Sequence, residues 1–390
     1  MNFITNFKKK RDVKKEMRLR RIAENKSIER LSKDFEGYSQ LQLMMIRFKK
    51  NKMAIAGFFM LIFIYVLALT CEFVSPYDPN LVNENLLNAP PHFIHIWDGE
   101  RIRSPFVYGR VQSYDEVTYK PMFIEDREII YNVRFFTRGD TYKYLGLFEG
   151  DIHLFGVEGD GSLNLFGTDR LGRDLFSRVI TGTRVSSTIG FVGVISSFII
   201  GVVLGGVSAF FGGIIDSFIQ RMIDFIISIP TLPLWMALAA AIPSSWSVMR
   251  TYFVIVLILS LVGWTGLART VRGKFMSLRT EDFVKSAIVS GASSMRVIIR
   301  HMVPMFASHL IATLTLSVPG MILGETSLSF LGIGLQPPVI SWGVLLADAQ
   351  NIRNIALYPW TLIPSIFIII TVMGFNFLGD GLRDAADPYS

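Results

Sequence analysis

The chain has 390 residues, 51% of them hydrophobic and 18% charged, with a formal net charge of +7. Soluble domains usually carry about 25% charged residues, so this composition argues against a soluble enzyme and for several membrane spans joined to a wet portion. A single cysteine, Cys71, excludes an intrachain disulfide framework and a cysteine-based metal cluster.

The positive charge is concentrated rather than spread. Residues 1–52 hold 16 Lys/Arg against 6 Asp/Glu, which reads as a basic cytoplasmic tail that fixes topology rather than as a nucleic-acid-binding surface. The stretch Val13–Leu31 within it has the periodicity of an amphipathic helix on a lipid surface, although a solvated tail that fixes topology is the favoured reading. Residues 53–74 form the first apolar run. About 20 residues at 1.5 Å each cross a hydrocarbon core of about 30 Å. Arg47, Lys49, Lys50 and Lys52 flank its start and hold that end inside. Cys71 follows Thr70, a poor match to a lipoprotein cleavage site.

Residues 75–184 read as an extracytoplasmic insertion. Pro76 and Pro79 stop the first helix, and residues 80–166 carry 8 basic and 13 acidic side chains. Four stretches there are aromatic-rich or β-branched and separated by Gly and Asp: Phe106–Val111, Ile129–Phe136, Tyr144–Phe148 and Ile152–Val157. They read as strands of a small β-rich unit.

Residues 185–390 carry the other apolar runs. Ser186–Phe211 has no charge, and its Gly201/Gly205 pair permits close helix contact. Ser217–Ile242 follows a turn at Gly212-Gly213, with Arg221 and Asp224 on one helix face and Pro230 and Pro233 interrupting it. Tyr252–Ala268 is next. The loop 269–303 holds 7 Lys/Arg among residues 269–301 and belongs inside. Met305–Leu328 with its interior Pro319, a wet or re-entrant stretch from Gly332 to Tyr358, and Trp360–Leu378 complete the chain. The expected fold is therefore an all-α polytopic membrane protein with six transmembrane helices, both termini cytoplasmic, and a β-rich extracytoplasmic insertion after the first helix.

Motifs for catalysis are lacking. Arg272-Gly273-Lys274 is the nearest approach to a phosphate-binding loop, but Ala268 and Phe275 stand where Gly and Ser/Thr are needed. His92 and His95 are two ligand types without a third. The informative segment is the loop. Glu281 and Asp282 suit the positive end of a helix. Phe283, Val284, Ala287 and Ile288 recur at helical spacing, and Gly291 permits a left-handed turn. That stripe needs a cover, supplied either by this chain's own helices or by a partner.

At this loop the sequence resembles the ATP-binding-cassette importer permeases. Lys285-Ser286-Ala287 occupies the family's Glu-Ala-Ala places, Gly291 its glycine and Pro304 its proline. Lys285 and Ser286 depart from the pattern, and Ser286 keeps the small size. The segments Gly167–Asp174, Gly291–Ser293 with Arg300–Pro304, Leu328–Gly332 with Gln336-Pro337-Pro338 and Ser341–Gly343, and Asn376–Asp384 resemble the peptide/nickel branch, specifically the second permease of oligopeptide and dipeptide importers.

The resemblance implies a type I importer fold and a bacterial inner-membrane location. It also implies a paralogous permease that completes the pore, two cassette ATPases that bind the ATP and Mg, and an extracytoplasmic solute-binding protein. This chain would have no cofactor or metal of its own, no enzymatic activity and no nucleic-acid partner. Phe283, Lys285, Ser286, Ala287, Ile288, Gly291 and Pro304 would form the ATPase-coupling loop, with Ala287 and Gly291 at the docking point. Glu325 is a candidate pore or gate residue or a paired structural acid. Asp169, Arg173 and Asp174 are candidates for contact with the binding protein or for helix capping and local ion pairs. A secondary transporter with its own coupling-ion site is the alternative from another class, weakened by the lack of mid-span acids. A membrane-anchored enzyme is a third. Nickel chelates and opines are alternative cargoes on the same scaffold.

Overall fold

A computed structural model describes residues 40–98, 101–114, 121–159, 161–243 and 245–386. The periodic stretch Val13–Leu31 lies outside the described residues. Helix α1 (Gln40–Lys50) leads into α2 (Lys52–Leu69), which Asn51 caps by accepting the N–H groups of Met53 and Ala54. A further helical turn, Cys71–Val74, continues it.

The insertion then forms a four-stranded antiparallel sheet in sequence order: β1 (His95–Trp97), β2 (Ile102–Tyr114), β3 (Pro121–Tyr144) and β4 (Phe148–Val157). Three of the four expected strand stretches fall within β2, β3 and β4. The fourth, Tyr144–Phe148, is instead the turn that closes the β3–β4 hairpin. Leu145 and Gly146 take positive φ there, a conformation that ends pairing whatever the β propensity of the side chains.

Among the described residues, five helices are long and apolar enough to cross a membrane: α2, α3 (Leu175–Phe211), α6 (Val248–Leu278), α8 (Ala307–Phe330) and the segment Pro359–Ala386 that contains α10 (Ile363–Ala386). The expected third span is broken. Helices α4 (Gly213–Ser228) and α5 (Thr231–Ala240) meet at 87°. Pro230 supplies no N–H and forces Ile229 into an extended conformation. A sixth crossing exists only if this bent pair counts as one span.

Two helices run beyond the apolar stretches read from the sequence. Helix α3 starts at Leu175 rather than Ser186, and α6 continues past Ala268 to Leu278. Helices α3 and α6 pack closely. A Cβ on Gly205 would lie 2.5 Å from the Ala268 carbonyl oxygen, so the Gly201/Gly205 pair is where one backbone meets the other.

The main core gathers Leu61, Val179, Ile189, Leu259, Ile322 and Trp342 from α2, α3, α6, α8 and the short helix α9 (Trp342–Leu346). A second core, at the α6–α8 connection, holds Phe275, Val284, Val297 and Met302. Arg221 does not pair with Asp224. Asp224 bonds Arg269 on α6 instead, and Asp216 takes Arg272 through Nε at 2.6 Å and Nη2 at 2.5 Å. The bent segment is thus pinned to α6 by two ion pairs.

Candidate functional site

The loop between α6 and α8 is an ordered elbow. Arg279 ends α6, and Glu281 precedes α7 (Asp282–Val289), where Asp282 in the first turn suits the helix dipole. The end of α7 is a Schellman closure. Gly291, at φ 81°, donates to the Ile288 carbonyl at 3.0 Å, and Ala292 donates to the Ala287 carbonyl at 3.0 Å. A side chain at 291 would meet nothing within 4 Å. Glycine is required there by the backbone angle and not by crowding. After a short turn at Ser294–Arg296 the chain winds as a π-helix over Val297–Met302. Pro304 follows, which cannot donate and crowds the carbonyl four residues back.

The stripe on α7 divides. Val284 is 0% exposed and packs into the second core, with Ala287 and Ala292 beside it. Phe283 and Ile288 flank that inward line and are exposed, and Val289 on the far side is 88% exposed. Ser286, Lys285 and Gly291 are exposed, and Lys285 lies 3.5 Å from Asp282. The chain's own helices therefore cover half of the stripe, Val284 and Ala287, and leave Phe283, Ile288 and, outside the stripe, Val289 uncovered. Val289 was missed in the sequence because it falls outside the helical spacing that marks the inward line. Its only signal is a bulky β-branched residue in the last turn beside the Ser290-Gly291 stop.

The outer candidates lie together, turned inward. Asp169 accepts the N–H groups of Leu171 and Arg173 at 2.9 and 3.0 Å, takes Arg173 Nε at 2.7 Å, and lies 3.5 Å from Arg178. Asp174 caps α3, accepting Ser177 N and Oγ at 2.7 Å and Asn164 Nδ2 at 2.9 Å. Both carboxylates are buried, and Arg173 is nearly so. Burial pushes the Asp174 carboxyl up to about 6, against the opposing hydrogen bonds of Asn164 and Ser177. Arg178 donates to the Pro79 carbonyl at 2.9 Å, Trp360 Nε1 to the Thr168 carbonyl at 3.0 Å, and Arg170 lies 3.3 Å from Asp348. The motif Gly167–Asp174 and the start of α3 are thus tied to Pro79 before them in the chain and to Asp348 and Trp360 after them. Of its charged residues, Arg170 is the exposed one.

Glu325 is wholly enclosed. Its Oε1 accepts Ser329 Oγ and Ser341 Oγ, each at 2.8 Å, and its Oε2 has no partner among the described residues. Ser329 lies one helical turn on and was legible as a neighbour. Ser341 belongs to one of the motif segments, but nothing in the sequence tied it to Glu325. Ser341 also caps α9, and Trp342, fully buried, donates its N–H to Ser186 Oγ at 3.0 Å. The sequence motifs at 328–332 and 341–343 therefore meet at one carboxyl group and fix the stretch that follows α8 onto α8 and α3.

Glu325 does not line the cavity of about 280 Å³ between α3, α5, α6 and α8. Ser197, Thr231, Trp235, Gly263, Thr313 and Ser317 are among the residues that do. The indole Nε1 of Trp235 has no hydrogen-bond partner among the described residues. No group of three or more His, Cys, Asp or Glu is placed to hold a metal among the described residues.

Comparison with known proteins bears on both ends of this architecture. Residues 198–389 match the family described as binding-protein-dependent transport system inner membrane component, and residues 39–91 match the N-terminal TM domain of oligopeptide transport permease C. The oligopeptide transport system permease protein OppC of Bacillus subtilis (strain 168) is 38% identical over 57% of this chain and 71% of its own. The dipeptide transport system permease protein DppC of the same organism is 31% identical over 88% of this chain and 83% of its own. Among solved structures, a chain from inward-facing conformations of the MetNI methionine ABC transporter covers 53% of this chain and 95% of its own at 17% identity and a TM-score of 0.40, a likeness too slight to define the fold.

Proposed function

Because the chain belongs to the family of binding-protein-dependent transport system inner membrane components, we propose that it is one of two paralogous permeases forming the translocation path of an ATP-driven peptide importer. Oligopeptides or dipeptides are the cargo, as the names of the relatives suggest. Energy comes from two separate ATPase subunits that carry the ATP and Mg, and an extracytoplasmic solute-binding protein delivers the peptide. This chain is non-catalytic. It sits in the bacterial inner membrane with both termini cytoplasmic, and the bent α4–α5 pair supplies the sixth span.

The observation that carries this reading is the half-covered elbow. Phe283, Ile288 and Val289 are exposed apolar groups on a helix seated in the core through Val284, within a strongly basic loop. A rigid helix with an uncovered apolar edge in a wet, charged setting fits a groove on another protein. Closure of the ATPases then moves α6 and α8 through the second core as a packed unit. The cavity lined by Ser197, Thr231, Trp235 and Ser317 is this chain's share of the path, with hydroxyls and a free indole N–H to meet peptide groups in passing. Glu325 stays out of that path and anchors the re-entrant stretch. Asp169, Arg173 and Asp174 support from within the outer surface that receives the binding protein.

The test is uptake. Proteoliposomes holding both permeases, both ATPases and the binding protein should accumulate labelled peptides of graded length only with ATP, and this chain alone should hydrolyse none. ATP turnover by the isolated chain, or accumulation of nickel chelates or opines with no peptide uptake, would overturn the assignment.

A further inference from the structure

The apolar face of α2 does not end where the helix ends. Phe59, Phe63, Val66 and Leu69 are exposed and recur at helical spacing, so they form the side of the first span that faces lipid. From Lys52 to Leu69 the helix rises about 27 Å at 1.5 Å per residue, close to the thickness of a hydrocarbon core. Phe73 continues the stripe one turn later. Its ring lies 6.2 Å from that of Phe136 on β3, and Phe136 is itself exposed.

Glu72, beside Phe73, marks the boundary. It is held by Arg184 of α3, whose guanidinium also donates to the Ala68 and Leu69 carbonyls. The backbone N–H of Leu145 donates to Glu72 Oε1 at 3.3 Å. That bond places the β3–β4 hairpin tip at the level where the hydrocarbon ends. The tip is Leu145-Gly146-Leu147-Phe148, with Leu147 75% and Phe148 69% exposed. Tyr142 and Tyr144 stand behind it, and Lys143 lies 3.6 Å from Glu149 at its base. Apolar groups at a tip, with tyrosines and a charged pair one step back, follow the order in which a membrane interface changes from acyl chain to headgroup to water.

We propose that this hairpin tip is a lipid-interface anchor. Leu145, Leu147 and Phe148 dip into the acyl–headgroup boundary beside the Glu72 end of α2, and the lipid-facing surface of the first span thereby extends onto the sheet. The anchor fixes the inclination of the sheet over the membrane independently of which cargo the transporter carries.

The test is spin-label depth measurement on the full complex in nanodiscs of phosphatidylethanolamine and phosphatidylglycerol. Leu147→Cys and Phe148→Cys are made in a Cys71→Ser background. Phe63→Cys serves as the lipid-facing reference, and Val111→Cys, exposed on β2 beside the opposite end of β3, as the aqueous one. Relaxation by oxygen relative to relaxation by a water-soluble nickel chelate is expected to be several-fold higher at 147 and 148 than at 111, approaching the value at 63. A ratio equal to that at 111 would overturn the proposal. So would protection of 147 and 148 from both reagents, which would mean that a protein, and not lipid, covers the tip.

Discussion

The knot around Asp169 and the elbow around α7 are both short connections at the end of a long helix, and they are completed in opposite ways. At the knot, charged residues are turned inward. Asp169, Asp174 and Arg178 are buried and partnered within the knot, where Arg178 also bonds the Pro79 carbonyl and Trp360 bonds the neighbouring Thr168. At the elbow, apolar residues of α7 are turned outward: Val284 and Ala287 find cover within the chain, while Phe283, Ile288 and Val289 are exposed. Buried charges that are paired and uncovered apolar groups in a basic loop are both costly alone. The first has been satisfied internally, and the second is left uncovered by the chain's own core, as the proposed docking requires. A region that carries an interaction surface differs in this way from one that carries structure.

The comparison breaks most easily at the knot. Asp169→Ala leaves Arg178, which is 3% exposed, without its carboxylate. Removing one partner of a buried ion pair costs about 3–5 kcal/mol. The variant should lose folded, membrane-inserted protein, read as yield and melting temperature in detergent, before any question of transport arises.

Phe283→Asp combined with Ile288→Asp should do the reverse. Both side chains are exposed, so the melting temperature of the isolated chain should hold. Each loses the ~1.5–3 kcal/mol that burying such a side chain against a partner supplies, so ATP-driven uptake should fall by roughly tenfold or more. Equal effects of the two sets on stability would erase the distinction between the regions.

Gly291 gives a smaller effect. Its site has room for a side chain, so Gly291→Ala is expected to cost only the ~1–2 kcal/mol of a left-handed backbone. It should lower uptake with insertion intact, and Gly291→Asp should do the same. Gly291→Asn, which tolerates that conformation, should be milder.

The smallest effect is the pH response of the knot. The Asp174 carboxyl, raised to about 6 in the fold, binds its proton more tightly there than in the unfolded chain, whose value is about 3.9. Its contribution to stability is therefore fully present below about 4 and is lost as the pH rises through about 6. Melting temperature should rise on acidification across that window, and Asp174→Asn should flatten the dependence.

Much of this was legible in the sequence. Uncharged runs and the placement of Lys and Arg located the apolar helices, and turn residues located most of the strands. What stayed hidden depended on partners distant in the chain. Helix α3 reaches back to Leu175 through Arg178 and Arg184, charges that hydropathy reads as the end of a span. They are tolerated because Asp169, the Pro79 carbonyl and Glu72 meet them. Asp224 chose Arg269 over the nearer Arg221 because α6 continues beyond its apolar run to bring Arg269 alongside. At the elbow, helical spacing marked the stripe of Phe283, Val284, Ala287 and Ile288 but could not say which of these side chains the chain's own core would claim. Ala287, read as a docking residue, lies half-buried against that core, while Val289 stands free. The meeting of Glu325 with Ser341 required knowing how the re-entrant stretch folds back.

The most direct test asks whether the apolar edge of α7 is covered by the ATPases. In a Cys71→Ser chain carrying Ile288→Cys, a membrane-impermeant maleimide should label inside-out vesicles and not right-side-out ones, and bound ATPase subunits should block the reaction. Labelling from the external side, or labelling indifferent to the ATPases, would contradict the account.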